Sequence, residues 1–157
     1  MASESSYPAC VTTIADAPLQ VGRKVGPTSW QTMTQERVSQ FAEVTGDHNF
    51  IHVDPERARE TPFRGTIAHG YLTLSLIPWL TGGMLRVDGV TRGINYGSNK
   101  IRFTNMVQVG SRVRARQKLV AAEPRAGGMQ LTNEVTIEID GQQRPACVAE
   151  TISLIYK

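Results

Sequence analysis

The chain has 157 residues, of which 40% are hydrophobic and 20% charged, with a net charge of +3. This length and balance fit one domain over residues 1–157 with a buried core, and the charge is too small to imply nucleic acid. No apolar stretch is long enough to span a bilayer, and residues 1–8 lack the basic start and apolar run of a secretory signal. We therefore expect a cytoplasmic protein with no nucleic-acid or membrane partner, with residues 1–8 disordered and Cys10 and Cys147 as reduced thiols.

Two helices are predicted in the first third of the chain. Thr34 is the predicted N-cap of a helix that reaches about Thr45 and is stopped by a glycine. Asp54 is the predicted N-cap of a shorter helix over 56–60, with Pro55 at its first position.

A third helix is predicted to begin near His69 and to end around Gly82. Its apolar residues cover nearly all of its faces, which is typical of a buried helix. Pro78 should kink or divide this helix. Trp79 and Met84 are expected in the core.

The second half of the chain shows strand patterns and turn signals. Strands are predicted over 95–104, 111–122, 130–140 and 145–156, with a further strand over 20–25. Gly127-Gly128 and Asp140-Gly141 indicate two hairpin turns. An antiparallel sheet with short connections can wrap around the long apolar helix and bury it. The predicted fold class is therefore α+β.

All three histidines, His48, His52 and His69, lie in the segment that joins the two halves. Asp47 and Asn49 belong to the same segment. Ionisable groups concentrated in a connection between apolar elements indicate a functional site.

A metal site and a nucleophilic site are the first alternatives for this segment. His48 and His52 with a nearby carboxylate could bind zinc, but the flanking glycine and proline make a helical i, i+4 arrangement doubtful, and no cysteine is near. Thr73 and Ser75 lie within the apolar helix and not on a Gly-x-Ser-x-Gly turn, so a nucleophilic triad is weakly supported. We predict no metal.

A composite motif matches a known pattern better. The order is Asp-x-Asn-x-x-His-x-Asp-Pro followed by Ile-Ala-His-Gly, carried by Asp47, Asn49, His52, Asp54, Pro55, Ile67, Ala68, His69 and Gly70. It closely resembles the MaoC-like dehydratase family, also called hydratase 2, and the resemblance is strong over 41–74 and weaker along the strands. Phe50 stands where that family usually has proline.

The resemblance implies a hot-dog fold, in which the sheet wraps around a long central apolar helix, and (R)-specific, reversible hydration of trans-2-enoyl-CoA to (R)-3-hydroxyacyl-CoA. Asp47 and His52 would act as a pair on one water, because hydration needs two proton positions. The backbone N–H of Gly70, at a helix N-terminus, would be the oxyanion donor. The residues expected to bind or orient the substrate are Asn49, Phe50, His69 and Tyr71. No cofactor is implied, since coenzyme A belongs to the substrate.

Structural interpretations of the same residues remain open. Asp47 could close the turn after the first helix, and His52 could be a hydrogen-bonded interior histidine. Two rival functions also remain, a hot-dog acyl-CoA thioesterase and a non-catalytic acyl-binding subunit. The carrier of the acyl chain could be coenzyme A or an acyl carrier protein. The resemblance and the open edges of a single sheet predict a homodimer.

A basic stripe is predicted on one strand. Arg112, Arg114, Arg116 and Lys118 alternate with less polar residues, so on a strand they share one face. This face is either solvated or meets an anionic partner, such as the phosphates of coenzyme A.

Overall fold

A computed structural model describes residues 8–157, so the disorder predicted for residues 1–8 lies outside the described chain except at Pro8. The helices are α1 (Gln35–Thr45), α2 (Phe50–Val53), α3 (Pro55–Arg59), α4 (Gly70–Ser75) and α5 (Ile77–Leu80). The strands are β1 (Cys10–Thr13), β2 (Lys24–Val25), β3 (Gln31–Thr32), β4 (Leu85–Asp88), β5 (Arg92–Phe103), β6 (Arg112–Arg125), β7 (Gly128–Ile139) and β8 (Cys147–Tyr156).

Helix α1 forms as its end signals predict. The Thr34 hydroxyl accepts a hydrogen bond from the Arg37 N–H at 3.2 Å, which caps the first turn. Gly46 ends the helix with a left-handed φ of 76°, a conformation that costs glycine little. Val38 and Ala42, one turn apart, are fully buried and fix α1 to the core.

The third predicted helix is divided, as its proline suggested, into α4 and α5 around Leu76. It is not buried on all sides, however. Leu72 and Leu80 are buried, whereas Tyr71 is 69% exposed. The expectation that Trp79 lies in the core was wrong: this side chain is 50% exposed, and the Arg37 guanidinium lies 4.7 Å above its ring.

The main sheet has the strand order β2-β6-β7-β8-β5, all antiparallel, and β3 also pairs with β6. Both predicted hairpins, β6–β7 and β7–β8, are confirmed. The strand predicted over 20–25 is reduced to the two residues of β2. A separate parallel pair, β1 with β4, was not predicted, because each strand has four residues and too little alternation to signal itself.

The core lies between the inner face of the sheet and helices α4 and α5. Val113, Ala115 and Leu119 of β6 point inward and are at most 1% exposed. Met84 is buried, as predicted. Cys10 and Cys147 are also buried and unpaired. Burial raises the pKa of Cys147 to about 11, so its thiol stays protonated and structural.

None of the helices in residues 8–157 combines the length and the apolar character that crossing a membrane requires.

Candidate active site

Two short helices position the polar residues between α1 and α4. The Asn49 side chain accepts from the Ile51 N–H at 3.4 Å and caps α2, a helix that was not predicted. The Asp54 carboxylate accepts from the Arg57 N–H at 3.0 Å, which confirms the predicted N-cap of α3. His52 belongs to α2 and is the buried residue of this helix.

His52 is buried, with 8% of its surface exposed, and its Nδ1 lies 2.7 Å from the Ile67 carbonyl oxygen. A carbonyl oxygen only accepts, so Nδ1 carries the proton and Nε2 of the neutral ring is left with a bare lone pair. Burial lowers the pKa of His52 below its ordinary value of 6.5, and neighbouring His69 lowers it further, against the opposing effects of Ile67 and Asp47. The arrangement therefore favours a neutral base.

His69 supports both members of the predicted pair. It is 3% exposed, and its Nε2 donates to the backbone carbonyl of Asp47 at 3.0 Å. Its ring stacks on His52 with centroids 3.8 Å apart, and Phe41 packs on it at 5.0 Å. Nδ1 of His69 is buried and has no hydrogen-bond partner among the described residues. A proton on this nitrogen would therefore have no acceptor among the described residues.

Asp47 is the exposed member of the group. Its side chain is 57% exposed, and its Oδ1 accepts from the Asn49 N–H at 3.4 Å, which is the turn role considered above. Its other oxygen lies 4.0 Å from Nε2 of His69. One ligand atom each from Asp47, His52 and His69 lies within 4.8 Å of the others. Two hydrogen bonds of about 2.8 Å each span that separation, so one water can contact both the carboxylate and an imidazole.

The same three residues are the one candidate metal group found in the described chain. It differs from the pair considered from the sequence, since His48 lies 3.6 Å from the Glu43 carboxylate and is half exposed. Metal binding through Nε2 of His69 would require that atom to give up its bond to the Asp47 carbonyl, because a ligating imidazole nitrogen carries no proton.

Gly70 lines a cavity of about 460 Å³ next to the histidines. It is the first residue of α4, so its N–H has no acceptor within the helix. A Cβ at this position would lie 2.9 Å from the Phe103 ring, so only glycine fits without displacing that ring. His52 and Arg144 also line this cavity, whereas Asp47 does not. Phe103 and Arg144 were not anticipated, because they come from distant strand and loop segments that carry no motif.

The structure places the remaining predicted orienting residues at the edge of the site. The Phe50 ring lies 4.0 Å from the Arg57 guanidinium. Tyr71 points outward and meets the Phe103 ring edge-on at 5.7 Å. Neither Phe50 nor Tyr71 lines the cavity at His52.

The basic stripe lies on the outer face of β6, because the residues between its members face the core. Arg114 and Arg116 both reach Glu138 at 2.6 Å, and Arg112 reaches Asp140 at 2.9 Å. Lys118 is opposite Glu134 in the register of β6 and β7. Opposite charges on facing strands stabilise the pairing of those strands. The contacts of the stripe are thus made largely with carboxylates of its own sheet.

Comparisons with known proteins agree with the geometry. Residues 16–141 match the family described as MaoC like domain. The 3-hydroxyacyl-thioester dehydratase Z of Mycobacterium tuberculosis (strain ATCC 25618 / H37Rv) is 52% identical over 141 residues, which cover 89% of this chain and 93% of that protein.

Two solved structures of hydratases are similar to this chain in fold. The (R)-hydratase from A. caviae involved in PHA biosynthesis has a TM-score of 0.70 at 28% identity, covering 85% of this chain and 94% of that one. The R-hydratase PhaJ1 from Pseudomonas aeruginosa has a TM-score of 0.69 at 25% identity, covering 92% and 87%. The predicted α+β hot-dog fold is confirmed by this likeness.

Proposed function

The chain belongs to the MaoC-like family of hydratases and dehydratases, and we propose that it adds water to trans-2-enoyl-CoA to form (R)-3-hydroxyacyl-CoA, and catalyses the reverse reaction. The observation that carries this proposal is that buried His52, whose Nδ1 bonds the Ile67 carbonyl, has a ring nitrogen within 4.8 Å of an Asp47 carboxylate oxygen and lines a cavity together with Gly70. The (R) configuration is supported by the likeness to the two (R)-hydratases.

In the proposed mechanism, Asp47 and His52 hold one water between them. The neutral His52 accepts a proton from this water through Nε2 while the water oxygen forms a bond to C3. The electrons of the C2–C3 double bond move toward the thioester, whose oxygen gains negative charge. The proton held by His52 then passes to C2, so the elements of one water are added and both residues return to their starting state.

Gly70 is the proposed donor to the thioester oxygen. Its N–H is unused by α4, and the positive end of the helix dipole reinforces it. Both features favour the enolate-like transition state over the ground-state thioester. His69 is the proposed positioning residue, since it fixes the Asp47 backbone and backs the His52 ring.

A second copy of the chain is the proposed partner. β5 forms one edge of the main sheet, and eleven of its 12 residues are exposed. Ile94, Tyr96 and Phe103 on this strand are all more than 40% exposed. An open edge with apolar side chains is suited to pairing with another strand, and a homodimer would cover it. Light scattering should give a mass of twice 17.2 kDa, and a monomer at working concentration would contradict the dimer.

Hydration is tested directly by the loss of enoyl-thioester absorbance from crotonyl-CoA, followed by chiral analysis of the product. We expect turnover and an (R) product, unchanged by a chelator because no metal takes part. Release of free thiol from a saturated acyl-CoA would favour the thioesterase instead. Absence of turnover combined with thermal stabilisation by acyl-CoA would favour the acyl-binding subunit.

A further inference from the structure

A second cavity, of about 700 Å³, lies between helices α4 and α5 and the inner face of the sheet. Leu74 of α4 lines this cavity, whereas Gly70 of α4 lines the smaller cavity at His52. Residues four apart lie on the same helix face, and the two are separated by about 6 Å along the α4 axis. An acyl chain whose thioester oxygen meets the Gly70 N–H would have to run about this distance along α4 to enter the larger cavity, which shares no lining residue with the cavity at His52.

Part of the cavity wall suits a hydrocarbon chain. Leu74 and Ile77 line it from the helices, and Leu131, Val135 and Ile155 line it from the sheet. The last four of these residues are at most 8% exposed, so the apolar wall is rigidly packed.

A polar row crosses the same wall on four adjacent strands. Ser98 of β5 faces Thr151 of β8, which faces Asn133 of β7, and all three line the cavity. Gln117 of β6 completes the row, donating from its Nε2 to the Asn133 Oδ1 at 2.9 Å. The inner face of a sheet that wraps a helix ordinarily carries apolar residues, so four aligned polar side chains there require an explanation.

The polar row is not satisfied by its own members. Two amide side chains carry four N–H donors and two carbonyl acceptors between them, and the Gln117–Asn133 bond uses one of each. The Thr151 hydroxyl reaches the Asn133 backbone oxygen at 3.5 Å and does not use the remaining amide groups. A purely hydrocarbon chain in the cavity would displace water from those groups without replacing its hydrogen bonds.

The charge of the lining limits which group can replace that water. None of the described residues around this cavity is charged. A carboxylate or ammonium group on the acyl chain would lose its hydration here without meeting an opposite charge. An uncharged hydroxyl both donates and accepts, and therefore matches the mixture of amide and hydroxyl groups in the row.

We propose that the polar row selects enoyl thioesters whose acyl chain carries a hydroxyl group beyond the reacting carbons. This inference rests on the proposed function and names its substrate class.

The test compares trans-2-decenoyl-CoA with derivatives that carry a hydroxyl on carbon 6, 8 or 10. At least one hydroxylated substrate should have a kcat/KM on the order of 10-fold above that of the plain chain. Thr151→Val, which keeps the side-chain shape, and Asn133→Leu should each reduce this preference. Gln40→Leu, at an exposed residue of α1, is the control and should leave the preference unchanged.

Two results would overturn the inference: a plain chain preferred over all three hydroxylated chains, or equal rates, as expected if the row only holds water. Crotonyl-CoA separates this failure from that of the proposed function, because its four-carbon chain is too short to reach the polar row. If the protein hydrates crotonyl-CoA but shows no preference for a hydroxylated chain, only the proposed substrate class is rejected. If it hydrates none of these substrates, both the substrate class and the proposed hydratase function are rejected.

Discussion

This molecule has two clusters of ionisable residues, and they differ in the partners that their charged and polar atoms have within the protein. Around α2 and the start of α4, the side chains of Asp47, His52 and His69 lie close together. His52 lines a cavity, and its Nε2 carries no proton because Nδ1 donates to a carbonyl. On the outer face of β6, cations of the basic stripe meet the carboxylates of Glu138 in β7 and of Asp140 directly after it. Both clusters are equally visible in the sequence. What separates them is whether the charged or polar atoms are satisfied by the protein itself or are left for a ligand.

Burial adds to this difference at Arg112, although not at Arg114, whose side chain is only 8% exposed. His52 is 8% exposed, and burial is the largest cause of its lowered pKa. The Arg112 side chain is 54% exposed, and ion pairs at that exposure contribute about 1 kcal/mol or less. Substitutions in the two clusters should therefore differ by orders of magnitude in their effect on turnover.

The largest effects are expected at the proposed catalytic pair, Asp47 and His52. Asp47→Asn keeps the shape but replaces the charged carboxylate that holds the water with a neutral amide, and His52→Gln removes the base. Each should lower kcat for crotonyl-CoA hydration by roughly 10²- to 10⁴-fold. His48→Gln, at a half-exposed histidine paired with Glu43, is the control and should leave kcat unchanged. Near-normal turnover in a folded Asp47→Asn or His52→Gln protein would place these residues in a structural role.

A smaller effect is expected at His69, and two variants separate its contacts. His69→Phe keeps a ring against His52 but loses the hydrogen bond to the Asp47 carbonyl, whereas His69→Gln can keep a donor but loses the ring. If the backbone bond positions Asp47, His69→Phe should reduce kcat by about 10- to 100-fold and His69→Gln should recover part of it. KM should change little. The reverse ranking would show that ring stacking matters more than the hydrogen bond.

The pH profile sharpens the comparison further. His52 must be neutral to accept a proton, and its pKa lies below 6.5, so the neutral form persists to lower pH than in an ordinary histidine. Hydration measured as kcat/KM should therefore fall to half of its maximum only below pH 6.5. The decline assigned to this group should disappear from the residual activity of His52→Gln. A half-maximal rate at or above pH 6.5 would contradict the burial of a neutral base.

The smallest effects are expected on the basic stripe. Arg112→Ala and Lys118→Ala should change KM for acyl-CoA less than twofold, because Arg112 bonds Asp140 and Lys118 is opposite Glu134 of β7. Arg144 is the better candidate for the coenzyme A phosphates, since it lines the cavity at His52. Arg144→Ala should raise KM, more strongly at low salt, with kcat nearly unchanged. A larger KM effect at Arg112 than at Arg144 would restore the anion-binding interpretation of the stripe.

Much of the fold was predictable because its signals are local. The N-cap at Thr34, the division at Pro78 and both hairpin turns depend on neighbouring residues. The exposure of Trp79 was not predictable, because an apolar residue on a helix gives no indication of which face lacks a neighbour. Helix α2 was missed because a four-residue helix is too short to show a period.

The candidate site was predictable where a motif defined it and not elsewhere. The motif located Asp47, His52 and Gly70, which the structure brings to neighbouring positions. It did not reveal that the donor to the Asp47 backbone is His69, because that bond joins residues 22 apart. Phe103 packs against Gly70 from a different strand, and such a contact depends on the tertiary fold rather than on any local pattern.

The central claim is that Asp47 and His52 act together on one water, and a double-mutant cycle tests it most directly. The rates of crotonyl-CoA hydration are compared for the wild type, Asp47→Asn, His52→Gln and the double variant. Residues that act as one unit are strongly non-additive, so the double variant should be little slower than the slower single variant. If the two losses instead multiply, the residues contribute independently, and the shared water proposed here is contradicted.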